Sequence, residues 1–139
     1  MSIFAGIKDA QMTGASKYLE AGQWDLKVKK CEVFESSKKK NQFYFLAEFE
    51  VLGTSVEFAH VGETRSWLVN MDHGETALGN IKNFALALTP GATEDDIDEG
   101  MMDELVSAEN PAAGIVVKAE GVQRTSQKGN EYTRFTWSS

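Results

Sequence analysis

The sequence has little cysteine and no long hydrophobic run, and each shortage excludes a class of protein. The single cysteine, Cys31, cannot form an internal disulfide or a cysteine-rich metal site. No apolar stretch reaches the roughly 18 residues that a membrane helix needs, and the first residues lack the basic and hydrophobic regions of a signal peptide. We therefore expect a cytoplasmic protein without membrane association. We also expect a single folded unit, because 139 residues with 42% hydrophobic content are typical of one domain.

Residues that would support catalysis or cofactor binding are equally scarce. There is no glycine-rich phosphate loop ending in Lys-Ser/Thr, and His60 and His73 lack a metal-ligand spacing with each other or with Cys31. The acidic residues lack the alternating ligands and central glycine of a calcium loop, and no paired carboxylates with a base converge as a nuclease would require. We expect no enzymatic activity and no cofactor or metal.

Charge is unevenly distributed along the chain. The formal net charge of -7 is unfavourable for binding a polyanion, but seven of the 21 acids lie between Glu94 and Glu104, a segment that contains no base. The rest of the chain carries equal numbers of acids and bases. The molecule is therefore locally acidic and locally basic at separate places. The basic stretch holds Lys27, Lys29, Lys30, Lys38, Lys39 and Lys40.

Alternating hydrophobic residues predict three strands in the first half of the chain. The first starts at Gln23, and a change of phase near Lys30 indicates a β-bulge. Its inward positions are Trp24, Leu26, Val28, Cys31 and Val33. After a polar lysine loop, the second strand has inward positions at Phe43, Phe45, Ala47, Phe49 and Val51. The third runs from about His60 to Asn70 and contains Val61, Arg65, Trp67 and Val69.

A helical period follows the third strand. Its apolar positions, which end before Pro90, are Leu78, Ile81, Phe84, Ala85 and Leu88. A second, acidic helix is predicted after Thr93, ended by Pro111, with an apolar stripe of Ile97, Met101, Met102 and Leu105. The fourth strand has inward positions at Ile115, Val117, Ala119 and either Gly121 or Val122, and the fifth runs from Tyr132 to Trp137.

This order of elements predicts an all-β fold with one or two helices: a five-stranded OB-like barrel with a helix between strands three and four. Residues 1–21 are predicted to form an N-terminal arm. Residues 22–139 then form a single OB-like domain, with an acidic helical insertion at about residues 93–109.

The two predicted hairpin loops resemble each other. The segment from Val33 to Leu46 and the segment from Val122 to Phe135 share a Ser/Thr, Lys, Asn and aromatic pattern at one constant offset. One explanation is that polar hairpin loops draw on few residue types. The other is that both loops flank one binding groove, as the first and last hairpin loops of an OB barrel do.

These residues also resemble a family. The run from Gly22 to Leu88, including Trp24–Val28, His60–Glu63 and Asn80–Phe84, is similar to small phage-encoded proteins regarded as OB-fold single-stranded DNA-binding proteins. The segment from Thr125 to Trp137 is similar to theirs as well. The resemblance implies a role in phage DNA replication or recombination, in the host cytoplasm. Such proteins often end in an acidic tail, which here is either missing or replaced by the internal acidic helix.

Binding of single strands without sequence preference needs cations for phosphates and aromatic faces for bases. The candidate cations are Lys27, Lys29, Lys38, Lys39, Lys40, Arg65, Arg124, Lys128 and Arg134, and the candidate stacking residues are Tyr44, Trp67 and Tyr132. If Phe45 and Trp137 face the core, alternation directs Tyr44, Tyr132 and Arg134 outward. The alternatives are that these aromatic residues belong to the core and that the lysine loop is a solvated tip.

A different class of function competes with DNA binding. An OB-like adaptor of phage replication would bind replication or recombination proteins through its acidic helix, and the sequence is compatible with either function. The sequence is also compatible with an oligomer.

Overall fold

The computed structural model describes residues 17–36, 40–73, 75–125, 127–129 and 131–139, which form a curled six-stranded sheet and two α-helices. The strands are β1 (Lys17–Tyr18), β2 (Gly22–Glu35), β3 (Phe43–Thr54), β4 (Thr64–Asn70), β5 (Val116–Thr125) and β6 (Glu131–Ser138). The helices are α1 (Glu75–Leu88) and α2 (Glu99–Leu105). The sheet order is β1-β4-β3-β2-β5-β6. The predicted β-rich class with two helices is confirmed, whereas the structure has six strands instead of five.

The additional strand lies at the end of the predicted N-terminal arm. β1 pairs in parallel with β4, with Lys17 beside Arg65. The N–H of the buried Leu19 then donates to the carbonyl of Ser66 at 3.0 Å. A two-residue strand is too short to show an alternating pattern, which is why the sequence does not reveal it. The rest of the arm, residues 1–16, lies outside the described residues.

The core lies on the inner face of the curled sheet. Alternate residues of β2 and β3 are buried there, namely Trp24, Leu26, Val28, Cys31, Phe45, Ala47, Phe49 and Val51. Trp137 of β6 packs on the ring of Phe49, with centroids 5.5 Å apart, so the curl brings β6 over β3. Val33 and Phe43, predicted to be buried, lie at the hairpin end beyond the core and are 37% and 41% exposed.

Helix α1 closes the core against β6. Its buried residues are Ala77, Ile81, Phe84, Ala85, Ala87 and Leu88, most of which recur at spacings of three and four. The ring of Phe84 lies 4.7 Å from that of Trp137. Leu78, predicted to belong to this stripe, is 52% exposed, because it lies on the flank of the helix. None of the described helices is long and apolar enough to cross a membrane.

The acidic segment after α1 is shorter and more broken than the predicted single helix. A 3-10 turn spans Glu94–Asp96, and α2 begins only after Asp98, whose extended backbone interrupts the helix. The Asp98 carboxylate accepts from the N–H of Met101 at 2.9 Å and so caps α2. The predicted apolar stripe is confirmed, with Ile97 and Leu105 buried. Helix α2 ends at Leu105, six residues before Pro111, so Pro111 does not end the helix as predicted.

The start of β4 differs from the prediction, and the structure decides between the two inward positions that the sequence leaves open on β5. β4 begins at Thr64 and not at His60, and Val61 is exposed in the preceding loop. On β5 the inward position is Gly121, while Val122 points outward. A Cβ at Gly121 would lie 2.6 Å from the ring of Phe135, so this close contact between strands requires glycine.

Cys31 is expected to be chemically inert in the folded protein. Burial raises the pKa of its thiol to about 12, and the thiolate is the reactive species. A thiol reagent such as DTNB at mildly alkaline pH should leave the native protein unmodified and label it once urea unfolds it. Rapid labelling of the native protein, measured by absorbance, would contradict the buried position.

Candidate nucleic-acid interface

Three lysines share the outward face of β2 because the strand contains a β-bulge. The β2–β3 register shifts between Val28 and Lys30, so Lys29 is the extra residue. Lys27 precedes the bulge and Lys30 follows it, and the extra residue lets both project away from the core. The bulge predicted from the sequence is therefore confirmed. It brings three lysines to one side of the sheet, which they share with Glu32, Glu48 and Glu50.

The side chain of Asn110 holds this bulge in position. Its Nδ2 donates to the carbonyl of Lys29 at 2.7 Å, and its Oδ1 accepts from the N–H of Cys31 at 3.1 Å. Both are backbone groups at the bulge, where the hydrogen bonding between neighbouring strands is interrupted, and Asn110 takes the place of the missing partners. The sequence gives no sign of this role, because 81 and 79 residues separate the partners.

We expect Asn110→Ala to lower the free energy of unfolding by about 1–3 kcal/mol, because it leaves two backbone groups without their partners and places alanine at a φ of 53°, which asparagine tolerates better. Urea denaturation monitored by circular dichroism measures this change. Asn83→Ala is the matched control, since Asn83 is exposed on α1 and makes no side-chain hydrogen bond among the described residues. Equal effects of the two substitutions would show that Asn110 does not support the bulge.

Most of the described cations on this side of the molecule form no ion pair with a described carboxylate. Lys30 is the exception, since its ammonium lies 3.6 Å from Glu32 and 3.9 Å from Glu48. Lys27 and Lys29 are exposed and form no ion pair among the described residues, although Lys29 donates to the hydroxyl of Thr64 at 3.0 Å.

The hairpin between β2 and β3 adds a further cation. Lys40 is exposed there and forms no ion pair within the described ranges. Lys38 and Lys39, predicted to bind phosphates with it, lie outside the described residues.

An aromatic pair lies on the same outward face, at the β2–β3 hairpin end. Phe34 and Tyr44 are cross-strand partners, and their rings are stacked with centroids 5.7 Å apart and 24° between the planes. Phe34 is 40% exposed and Tyr44 half-buried. Tyr44 thus points outward, as the alternation predicts. Phe34 is not among the stacking residues predicted from the sequence. It lies three residues after the inward Cys31, so alternation directs it outward and could have identified it.

The end of the β5–β6 hairpin forms a second candidate surface. β5 pairs with β2 only as far as Gly121, so the residues after it pair with β6 alone. One face of this hairpin end carries the exposed residues Val122, Arg124, Tyr132 and Arg134. The other face is polar, with Gln123 donating to the carboxylate of Glu131 at 3.3 Å. Lys128 is exposed in the turn. Glu131 therefore lies on the opposite face from these cations, whereas Glu120, two residues before Val122, lies on the same face.

Arg65 occupies a different position from the one predicted. Its side chain is buried, with 3% exposure, and donates to the Glu63 carboxylate at 3.1 Å and to the carbonyl of Tyr18 at 2.9 Å. It also lies 5.4 Å from the Trp24 ring centroid. The N–H of His60 and then Arg65 lower the pKa of Glu63 below its ordinary value of 4.5. Arg65 therefore stabilises the arm and the loop before β4, and no phosphate has access to it.

Trp67 also points into the core. It is 8% exposed, and its ring lies 4.8 Å from Trp137 and 5.4 Å from Phe84. The residue is paired with Ala47, an inward position of β3, which determines its direction. Trp67 is therefore excluded from the stacking residues.

The two hairpin ends lie beyond opposite ends of β2. Gly22 pairs with Gly121 at one end, and Glu35 pairs with Phe43 at the other. The outward face of β2 runs between them, and an open cleft of about 700 Å³ lies along its first half. Lys118 of β5 lines this cleft together with Asp25 and Glu120. Lys118 is not among the cations predicted from the sequence to contact phosphates.

Within the described ranges, no three His, Cys, Asp or Glu side chains are grouped so that they could bind a metal ion. Comparison of the sequence with models of protein families and with curated proteins found no match. Function is therefore inferred from the interface itself.

Proposed function

We propose that the protein binds single-stranded DNA without sequence preference, along the outward face of β2 and between the two hairpin ends. The observation that carries this proposal is a stacked pair of outward-facing aromatic rings together with lysines that form no ion pair within the described ranges, all on one face of the sheet. Bases stack on aromatic rings whatever their identity, and lysines follow the phosphates. Phe34 and Tyr44 supply the rings at one end, and Tyr132 does so at the other.

The topology supports the same proposal. The five longer strands lie in the order β4-β3-β2-β5-β6, with α1 between β4 and β5 in the chain. We infer from this order an OB-like barrel that is open between β4 and β6. In OB folds, oligonucleotides bind next to the first and last hairpin loops and over the second and third strands of the barrel, which are β3 and β4 here. The proposed path agrees with that rule in the two loops and differs from it in following β2, the strand next to β3. In this chain those loops are the β2–β3 and β5–β6 hairpins.

The distribution of charge is compatible with a polyanionic ligand despite the net charge of -7. The acids of residues 94–104 belong to the segment after α1, not to the strands that carry the proposed interface. The outward face itself also carries Glu32, Glu48 and Glu50 beside the lysines. Electrostatic attraction is therefore confined to the individual cations at the bulge and at the hairpin ends, and affinity should fall as salt rises. The resemblance to phage proteins favours a role in DNA replication or recombination in the host cytoplasm.

The test is a fluorescence anisotropy titration of labelled oligo-dT at several salt concentrations. Changing Lys27, Lys29 and Arg134 together to Gln should weaken binding and reduce the slope of log affinity against log salt by about 2, since each lost contact removes about 0.7. Lys82→Gln is the matched control, because Lys82 lies on α1 and is 3.5 Å from Glu94. An oligo-U titration in parallel distinguishes DNA from RNA preference.

Two results would overturn the proposal. One is the absence of salt-dependent binding in the wild-type protein, which would favour the protein-adaptor function. The other is an unchanged slope in the triple variant, which would mean that the DNA binds elsewhere.

A further inference from the structure

A hydrophobic groove lies on the inner side of the β2–β3 hairpin, opposite the aromatic pair. It has a volume of about 270 Å³ and opens between the hairpin, α1 and the acidic segment. Its floor is formed by buried core residues, Phe45, Ile81 and Ile97. Its rim includes Val33 and Leu78, which are exposed although they are apolar. Solvated apolar side chains above an open groove are typical of a binding surface.

The groove has a strongly acidic edge. Asp98, Glu99 and Asp103 line it, and its one lysine among the described residues, Lys82, is already paired with Glu94 at 3.5 Å. Glu99 and Asp103 are exposed and form no ion pair in the described part of the chain. A ligand that enters this groove therefore meets uncompensated negative charge. Nucleic acid is repelled there, and a cationic ligand is attracted.

Two methionines make the walls adaptable. Met71, in the turn after β4, and Met102, in α2, are half-buried and line the groove. Methionine is unbranched and polarisable, so surfaces rich in it adjust to ligands of varied shape. An apolar floor, methionine walls and an acidic edge together match the requirements of a short amphipathic helix with basic residues on its polar face.

We propose that this groove binds a basic amphipathic segment of a partner protein. Apolar side chains spaced three and four residues apart enter the groove, and lysine or arginine side chains pair with Glu99 and Asp103. The proposal goes beyond DNA binding and does not depend on it. Because Val33 and Phe34 point to opposite faces of β2, the partner and a DNA strand can be bound at the same time.

The test is an anisotropy titration of the full-length protein with a labelled helical peptide that has leucines at helical spacing and lysines elsewhere. A scrambled peptide of the same composition and a peptide with Glu for every Lys are compared with it. Leu78→Asn and the double change Glu99→Gln with Asp103→Asn should each weaken binding about tenfold or more. Phe58→Ser is the matched control, because Phe58 is an exposed apolar residue that does not line the groove.

Four results would overturn the proposal. Equal binding of the scrambled peptide would mean a purely electrostatic contact. Wild-type affinity in both groove variants would mean that the peptide binds elsewhere. Displacement of the peptide by oligo-dT would assign the groove to nucleic acid. Loss of a dimer in Leu78→Asn by sedimentation analysis would make the groove an interface between two copies of this chain. Circular dichroism of each variant verifies that it is folded.

Discussion

Alanine at Phe34 is expected to weaken binding of oligo-dT by about 5- to 150-fold, because base stacking on an aromatic ring contributes about 1–3 kcal/mol. Tyr44→Ala should have an effect of the same order. The two rings are stacked at 5.7 Å and form one platform, so the double variant should lose less than the sum of the single losses. Anisotropy titrations of the three variants at one salt concentration measure this coupling.

Phe43 provides the control for this prediction. It lies on the same hairpin and is equally exposed, at 41% against 40% for Phe34, but points to the opposite face. Phe43→Ala should therefore leave oligo-dT affinity unchanged. If it weakened binding as much as Phe34→Ala, the bases would stack on the inner side of the hairpin, and the proposed path along β2 would be wrong.

Trp137→Ala is expected to have the largest effect on stability, lowering the free energy of unfolding by about 3–5 kcal/mol. Trp137 is the residue through which the edge strand β6 meets β3, β4 and α1, since its ring packs on Phe49, Trp67 and Phe84. Its removal leaves a cavity where these elements join. Urea denaturation followed by far-UV circular dichroism provides the measurement.

Tyr132→Ala, on the same strand, should behave in the opposite way. Tyr132 is exposed on the outward face, so its loss should change stability by about 0.5 kcal/mol or less while it lowers oligo-dT affinity. A large loss of stability in Tyr132→Ala together with intact DNA binding would show that the directions of the β6 side chains are inverted.

Local periodicity predicted much of the fold. The alternation through Trp24, Leu26 and Val28 identified β2, and the change of phase near Lys30 identified its bulge, which the structure places at Lys29. Spacings of three and four identified α1 through Ile81 and Phe84. These patterns are visible in the sequence because each depends only on residues a few positions apart.

Arg65 and Trp67 show where this reasoning fails. Both have the parity of Val69 on β4, but parity alone does not say which of two faces is buried. That decision depends on register: Arg65 is opposite Phe49 and Trp67 is opposite Ala47, and both β3 residues belong to the core. Arg65 and Trp67 are residue types suited to binding phosphates and bases, which is why the sequence predicts them at the interface. The register of β4 against β3 directs both into the core instead.

The sequence by itself determined the five longer strands, the helix α1, the separation of the acidic from the basic segments and the outward direction of Tyr44. Tertiary structure alone decided that Phe34 stacks on Tyr44, that Asn110 supports the bulge from 79 residues away, and that Leu78 and Val33 line one groove. The physical reason is that secondary structure follows the repeat of neighbouring side chains, whereas a site depends on pairing between segments that only the folded sheet brings together.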